Sequence, residues 1–247
     1  MNYRVIVNHG MGVGDWLNKL SEIYFDVEKR GYKQIKLISN NDTIKYGYIE
    51  IANSYFNKLP CEVEYEYQNV NNIENDHEYL GPYWPVKKRY QGGNSVVVYT
   101  CICNQLYMRS NITKCFTELE ADLLYQKLDD EGIQYVCLED LNPDHRNPYY
   151  RNKAKRLRSD EEFVEYIFNM LATCKCYIGS ECFYTHLCKA MGVPFICLDK
   201  RTYNNNSKYY FSDLVNTKVY GRADVLISNI NGEAVQVVSS TDCKSAV

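Results

Sequence analysis

A chain of 247 residues, 45% hydrophobic and 24% charged, has an ordinary globular composition and room for one large core or two small ones. Its formal net charge of -3 excludes nucleic-acid binding through the overall field and leaves only a local basic patch for that purpose. No run of roughly eighteen apolar residues offers a membrane span, and Met1–Val7 reads as a first strand rather than a signal peptide, so the cytoplasm is the expected location.

Tyr3–Asn8 is a short β-rich run that ends in His9-Gly10-Met11-Gly12-Val13-Gly14-Asp15. Leu17, Leu20, Ile23, Tyr24 and Val27 then recur at helical spacing until Gly31 stops the helix. Gln34–Ile38 predicts a second strand, Thr43 to Asn57 a second helix and Glu62–Tyr67 a third strand. From Asn69 to Gly93 the periodicity fails, and the Asn, Gly, Pro and aromatic content predicts a surface excursion followed by a linker at Gln91-Gly92-Gly93-Asn94. The expected domains are therefore 1–92 and 93–247.

The second half restarts the pattern. Ser95–Cys101 predicts a strand, and Leu119, Leu123, Leu124 and Leu128 line a helix closed by Gly132. Ile133–Leu138 is the next strand, followed by a polar, basic loop from Glu139 to Arg158. Ser159-Asp160-Glu161-Glu162 is a helix start with acidic residues in the first turn, ahead of Phe163, Ile167, Met170 and Leu171. Cys176–Ile178, Phe183–Met191 and Pro194–Leu198 read as strand, helix and strand, and Val219–Val238 as further short β-runs without a clear long helix. The alternation predicts an α/β fold of two Rossmann-like units facing a cleft, with the ligand at the carboxyl ends of the strands.

Eleven cysteines invite a disulfide framework, but the count is odd and several lie inside apolar runs such as Phe195-Ile196-Cys197-Leu198, as small buried hydrophobes do. Cys101-x-Cys103 and Cys174-x-Cys176 have one intervening residue each, too few for a typical structural zinc site, so no metal is expected.

Gly10-x-Gly12-x-Gly14-Asp15 joins a strand to a helix, where glycines admit a ligand close to the backbone and the helix start favours phosphate or a developing anion. The spacing is neither the dinucleotide fingerprint nor a P-loop. Asp15 has two readings, a helix N-cap or a carboxylate acting as general base.

The segment from Cys176 to Leu198 is the most specific in the chain: a strand ends at Gly179-Ser180-Glu181, a helix carries Thr185 and His186, and Gly192-Val193-Pro194 turns into a strand. It resembles the heptosyltransferase-like enzymes of glycosyltransferase family 9, of GT-B architecture, which carry Asp-Thr/Ser-Gly-x-x-His-Leu followed by a helix, Gly-x-Pro and a strand. Gly14-Asp15-Trp16-Leu17 is similar to the family's Gly-Asp-x-Leu. Val96–Tyr99 and Lys114 to Leu119 loosely resemble the opening strand and Lys-containing element of its nucleotide-sugar half. The resemblance implies an inverting, metal-independent transfer from a nucleotide-sugar donor, with no cofactor beyond that co-substrate. Asp15 would take the acceptor proton, and Gly12 and Gly14 would open the first loop to the donor. Ser180, Glu181, Cys182, Thr185 and His186 would contact the sugar or diphosphate, and Arg109 or Lys114 would add positive charge. Glu181 stands where the family has Asp, and Phe183 where it has Gly. His186 also has a bland reading, a buried helix histidine bonded to a neighbouring loop.

The strongest basic cluster runs from Arg146 to Arg158, with Tyr149 and Tyr150 inside it, and a smaller one spans Trp84 to Tyr90. Either is a solvated loop, a neutraliser of the donor diphosphate, or a nucleic-acid contact in which Arg151, Lys155 and Arg156 hold the acceptor. The last reading resembles bacteriophage glycosyltransferases that decorate hydroxymethylated DNA bases, where the base must leave the stack. A lipopolysaccharide or other glycan is the alternative acceptor. Two rival functions remain, a nucleotide-sugar epimerase, for which His9 is the extra acid/base candidate, and a non-catalytic nucleotide-sugar-binding module.

Overall fold

The structure is a computed structural model and describes residues 3–8, 13–40, 48–57, 61–68, 86–100, 116–138, 159–200 and 217–230. The chain divides into two compact units, Met1–Lys87 with Lys153–Glu165, and Lys88–Asn152 with Tyr166–Val247. Among the described residues no helix is long and apolar enough to cross a membrane.

The first unit follows the β-α-β-α-β order expected of a parallel sheet. It runs β1 (Tyr3–Asn8), α1 (Val13–Arg30), β2 (Gln34–Asn40), α2 (Tyr48–Ser54) and β3 (Glu62–Gln68). The strands lie side by side in the order β1-β2-β3, all parallel, with Tyr3 opposite Gln34 and Gln34 opposite Glu62. Trp16, Leu17, Leu20, Ile23 and Tyr24 form the buried stripe of α1, at the three- and four-residue spacing that brings side chains to one face. Ile35 and Leu37 of β2 are buried, whereas Lys36 between them is only half-buried, the alternation of a strand. The second helix stops before the expected Asn57. It ends at Ser54, whose hydroxyl bonds the Ile51 carbonyl at 2.7 Å, and Phe56 pairs with Val86 in an isolated antiparallel bridge. Residues 43–47, the expected start of that helix, lie outside the described residues.

One polar cluster ties β1 to α1. Asp26, fully buried, accepts Arg4 Nη1 at 2.8 Å and Arg30 Nη1 at 3.1 Å. Glu22 accepts Arg4 Nη2 and Lys19 Nζ, each at 2.9 Å. Buried carboxylates are tolerated here because each is paired with guanidinium or ammonium donors.

The second unit contains β4 (Val96–Tyr99), α3 (Glu118–Asp130), β5 (Tyr135–Cys137), the later turns of α4 (Glu161–Ala172), β6 (Tyr177–Ser180), α5 (Phe183–Met191), β7 (Phe195–Leu198) and β8 (Thr217–Tyr220). A further helix, α6, covers residues 223–230. The five strands are parallel in the order β5-β4-β6-β7-β8. Every residue of β4, β6 and β7 is buried, as expected of parallel strands covered on both faces. Val96, Val98, Ile178, Ile196 and Leu198 meet Leu124, Tyr125 and Leu128 of α3 and Leu226 and Ile230 of α6 in one core.

Two expectations are corrected. Leu119 and Leu123 are exposed, at 68% and 45%, and the buried face of α3 is Ala121, Leu124, Tyr125 and Leu128. At 100° per residue, positions 119 and 123 fall across the helix from 121 and 125, so they cannot share the core with them. The tail expected to be β contains α6, because Ala223, Leu226, Ile227 and Ile230 repeat at helical spacing and cover the sheet core. At the expected linker, the N–H groups of Gln91 and Gly92 both bond the Ala172 carbonyl, at 2.8 and 3.1 Å. A side chain on Gly93 would overlap the Thr173 carbonyl oxygen, which explains the glycine there.

Candidate functional site

The strand order of the second unit defines the place to look. From β4 the chain passes to β5 on one side and then returns to β6 on the other, so neighbouring connections diverge between β4 and β6. In open parallel sheets that divergence leaves a crevice outside the carboxyl ends of the two strands. Here those ends are Tyr99-Thr100 and Ser180-Glu181.

On the β4 side, Thr100 Oγ1 lies 3.0 Å from the Tyr125 hydroxyl, which also receives Cys137 Sγ at 3.6 Å. The Tyr99 ring meets Tyr184 edge-on, with centroids 4.8 Å apart. On the β6 side, a Cβ on Gly179 would collide with the Tyr99 carbonyl, so glycine allows the two strand ends to close together.

The turn from β6 into α5 is braced from within. Glu181 N–H bonds the Leu198 carbonyl at 3.0 Å, continuing the β6–β7 ladder by one residue. The Thr185 hydroxyl donates to the Ser180 carbonyl at 2.8 Å and accepts the Cys182 N–H at 3.3 Å. Cys182 takes the cap position of α5 in an extended conformation, with Sγ 3.6 Å from the Tyr177 hydroxyl. This frame sets two ionisable side chains against each other: His186 Nε2 lies 2.9 Å from Glu181 Oε1. With Glu181 ionised, Nε2 carries the proton and donates, which fixes the ring orientation and its tautomer. The contact satisfies the geometry of the bland reading of His186, and it equally provides an oriented imidazole at a strand end. Phe183, at the position where the resembled family has glycine, is buried with its ring edge-on to Tyr184, 5.4 Å between centroids.

Of the residues singled out by sequence, the structure therefore brings together Ser180, Glu181, Cys182, Thr185 and His186. In the first unit, α1 begins at Val13, so Gly14 and Asp15 sit in its first turn and Asp15 is the third helical residue rather than the cap. His9, Gly10, Gly12, Cys101, Cys103, Arg109, Lys114, Arg151, Lys155 and Arg156 lie outside the described residues, as does the Asp15 side chain. The smaller basic run is partly engaged within the fold. Lys88 Nζ bonds Asn169 Oδ1 and Arg89 Nη1 bonds the Ala190 carbonyl, each at 2.8 Å.

The described cysteines are unbridged, and all but Cys61 are buried. Burial pushes the Cys174 thiol up, and that of Cys176 up to about 12, so both stay protonated among apolar neighbours. Among the described residues no three His, Cys, Asp or Glu side chains converge as a metal-ligand set.

Sequence reading missed Lys200 and Glu120. Lys200 Nζ, just beyond β7, lies 3.0 and 2.8 Å from the two oxygens of Glu120 in the first turn of α3. The local half of this arrangement was legible as Thr117-x-x-Glu120, a capping-box pattern. The other half joins residues eighty positions apart and has no local signal.

No protein-family model matches the chain, and no curated protein does. Among solved structures, E. coli heptosyltransferase WaaC with ADP is similar at 13% identity, over 96% of this chain and 99% of that one, with a TM-score of 0.46. The same enzyme with ADP-2-deoxy-2-fluoro heptose aligns at 12% identity over 97% and 99%, with a TM-score of 0.47. The bacterial iron-containing dodecameric glycosyltransferase TibC from enterotoxigenic E. coli H10407 aligns at 13% identity over 81% of this chain and 58% of that one, with a TM-score of 0.35. The α/β class itself is established by the two parallel sheets of this chain.

Proposed function

We propose that the chain is a GT-B-like glycosyltransferase that moves a sugar from a nucleotide-sugar donor to an acceptor hydroxyl, with inversion and without a metal. The observation that carries the reading is the oriented Glu181–His186 pair at the carboxyl end of β6, beside the point where the strand connections diverge. The resemblance of the 176–198 segment and of Gly14-Asp15-Trp16-Leu17 to glycosyltransferase family 9 supports the same reading.

In this proposal Glu181 and His186 contact the sugar or the diphosphate at the start of α5. The acceptor oxygen attacks the anomeric carbon, the bond to the diphosphate oxygen breaks, and the diphosphate leaves with the electron pair. Asp15 takes the proton of the acceptor hydroxyl. Gly12 and Gly14 shape the loop before it, Arg109 and Lys114 add charge on the donor side, and Arg151, Lys155 and Arg156 hold the acceptor. The acceptor is a hydroxymethylated base in phage DNA or a glycan hydroxyl.

The test is release of nucleoside diphosphate from UDP-, GDP- and ADP-sugars, with hydroxymethylated DNA, with a glycan panel, and with neither, comparing wild type with Asp15→Asn. Acceptor-dependent release that disappears in the variant is the expected result, and the acceptor that supports it names the substrate. Donor binding without release on any acceptor would reduce the chain to a binding module. Conversion of the donor sugar without acceptor would make it an epimerase.

A further inference from the structure

Lys200 and Glu120 come from opposite sides of β6. Lys200 follows β7, next to β6 in the sheet, and Glu120 lies in the helix that follows β4, the strand on the other side. The strand order thus puts the two residues on either side of β6, at the carboxyl-end edge of the sheet. Both ends are anchored. Asp199, buried, donates its N–H to the Tyr220 carbonyl at 2.9 Å and holds the chain just before Lys200. Glu120 Oε2 accepts the Thr117 N–H at 2.7 Å, and Thr117 Oγ1 accepts the Glu120 N–H at 3.2 Å.

The pair is partly buried, and the two side chains keep 23% and 27% of their surface in solvent. Water and salt still reach the two charges in part and weaken their attraction. A more highly charged anion arriving at the same edge can compete for the ammonium. The capping box occupies the Thr117 and Glu120 N–H groups, and the charged donor beside it is the lysine bound to Glu120.

We propose that Lys200 is a phosphate-binding residue of the donor site, kept at the β4–β6 edge by Glu120 until the diphosphate of the donor takes its place. The inference rests on the nucleotide-sugar reading above. Lys200 leaves the Glu120 carboxylate for the phosphate oxygens and carries part of the leaving-group charge. Glu120 keeps its capping bond to Thr117.

Isothermal titration of wild type, Lys200→Ala, Lys200→Arg and Glu120→Gln with ADP, GDP and UDP, and with the matching nucleosides, tests this. For the diphosphate that wild type binds, Lys200→Ala is expected to weaken binding by about tenfold or more, the loss of a charged hydrogen bond. Nucleoside affinity stays level, and Lys200→Arg restores most of the loss. Glu120→Gln keeps an acceptor for Thr117 but frees the ammonium, so diphosphate binding holds or tightens. Wild-type diphosphate affinity in Lys200→Ala overturns the inference and leaves the nucleotide-sugar reading standing. Parallel losses in Lys200→Ala and Glu120→Gln, for nucleoside and diphosphate alike, overturn it in favour of a structural bridge. A wild type that binds none of these probes overturns the nucleotide-sugar reading, and this inference with it.

Discussion

His186 Nε2 and Glu181 Oε1 lie 2.9 Å apart, with no more than 5% of either side chain exposed. A carboxylate and an imidazole removed this far from water must satisfy each other, so neither is separable from the other energetically. Glu181→Ala is expected to cost about 2–4 kcal/mol of stability, because it leaves a buried imidazole without that partner. Glu181→Gln keeps an acceptor oxygen and costs less. Urea unfolding of the two variants checks the order, and equal losses would show that charge, rather than the hydrogen bond, holds the pair.

Gly179 and Gly93 are expected to resist even alanine. In each case the added methyl meets a backbone carbonyl, of Tyr99 or Thr173, that no side-chain rotation can move. Overpacking of this kind costs about 1–3 kcal/mol, so either variant melts several degrees below wild type. Gly179→Ala acts at the β4–β6 edge and also lowers donor affinity, whereas Gly93→Ala lowers stability alone. Thermal denaturation with and without nucleoside diphosphate separates the two effects.

Alkaline pH is expected to weaken the second unit. Burial holds Cys176 protonated up to about 12 and pushes Cys174, Cys188 and Cys197 up as well. In the unfolded chain the same thiols ionise near about 8.5. The folded state thus binds more protons between those values, and the stability is whole below the lower one and lost as pH climbs toward the upper. The slope is on the order of 1 kcal/mol per pH unit for each such thiol. Denaturant midpoints measured under reducing conditions from about pH 8 to pH 11 should fall, and Cys176→Ala should flatten the fall. A level wild-type midpoint over that range rules the account out.

Removing the shared carboxylate of the first unit should be costly. Asp26→Ala leaves Arg4 without its main partner on α1, and Arg4 is itself only 21% exposed. Buried pairs broken from one side lose about 3–5 kcal/mol, discounted here to about 2–3 because water reaches Arg4 in part. Asp26→Asn should lose less, since it keeps one acceptor oxygen. Equilibrium unfolding of both variants reports the difference, and an Asp26→Ala protein as stable as wild type would assign the network no structural weight.

Much of the architecture was readable from residue order alone. Alternating runs such as Gln34–Ile38, apolar runs such as Phe195–Leu198 and the helix over Phe183–Met191 carry their periodicity within the segment, and local sterics turn that into strands and helices. The same holds for the capping signals at Asp160 and Gly132. Asp160 Oδ1 accepts the Phe163 N–H at 3.1 Å, and Gly132 follows α3 with a φ of 62°. The juxtaposition of Glu181 and His186, five residues apart across a helix start, was likewise within reach of the motif.

Packing decided the rest, because a leucine is equally apolar on either side of a helix. Only the sheet beneath α3 determines that Leu124 is buried and Leu119 exposed, and only the assembled core shows what Leu226 and Ile230 pack against. The strand order that separates β5 from β6 on either side of β4 has no local code. Nor does the meeting of Lys200 with Glu120, which depends on where two distant chain segments end once the core beneath them has closed. Sequence set the elements and the chemistry of the Ser180–His186 turn, since both depend on neighbours within a few residues. Tertiary structure set the edge at which that chemistry stands, since burial is a property of the assembled sheet and not of any one segment.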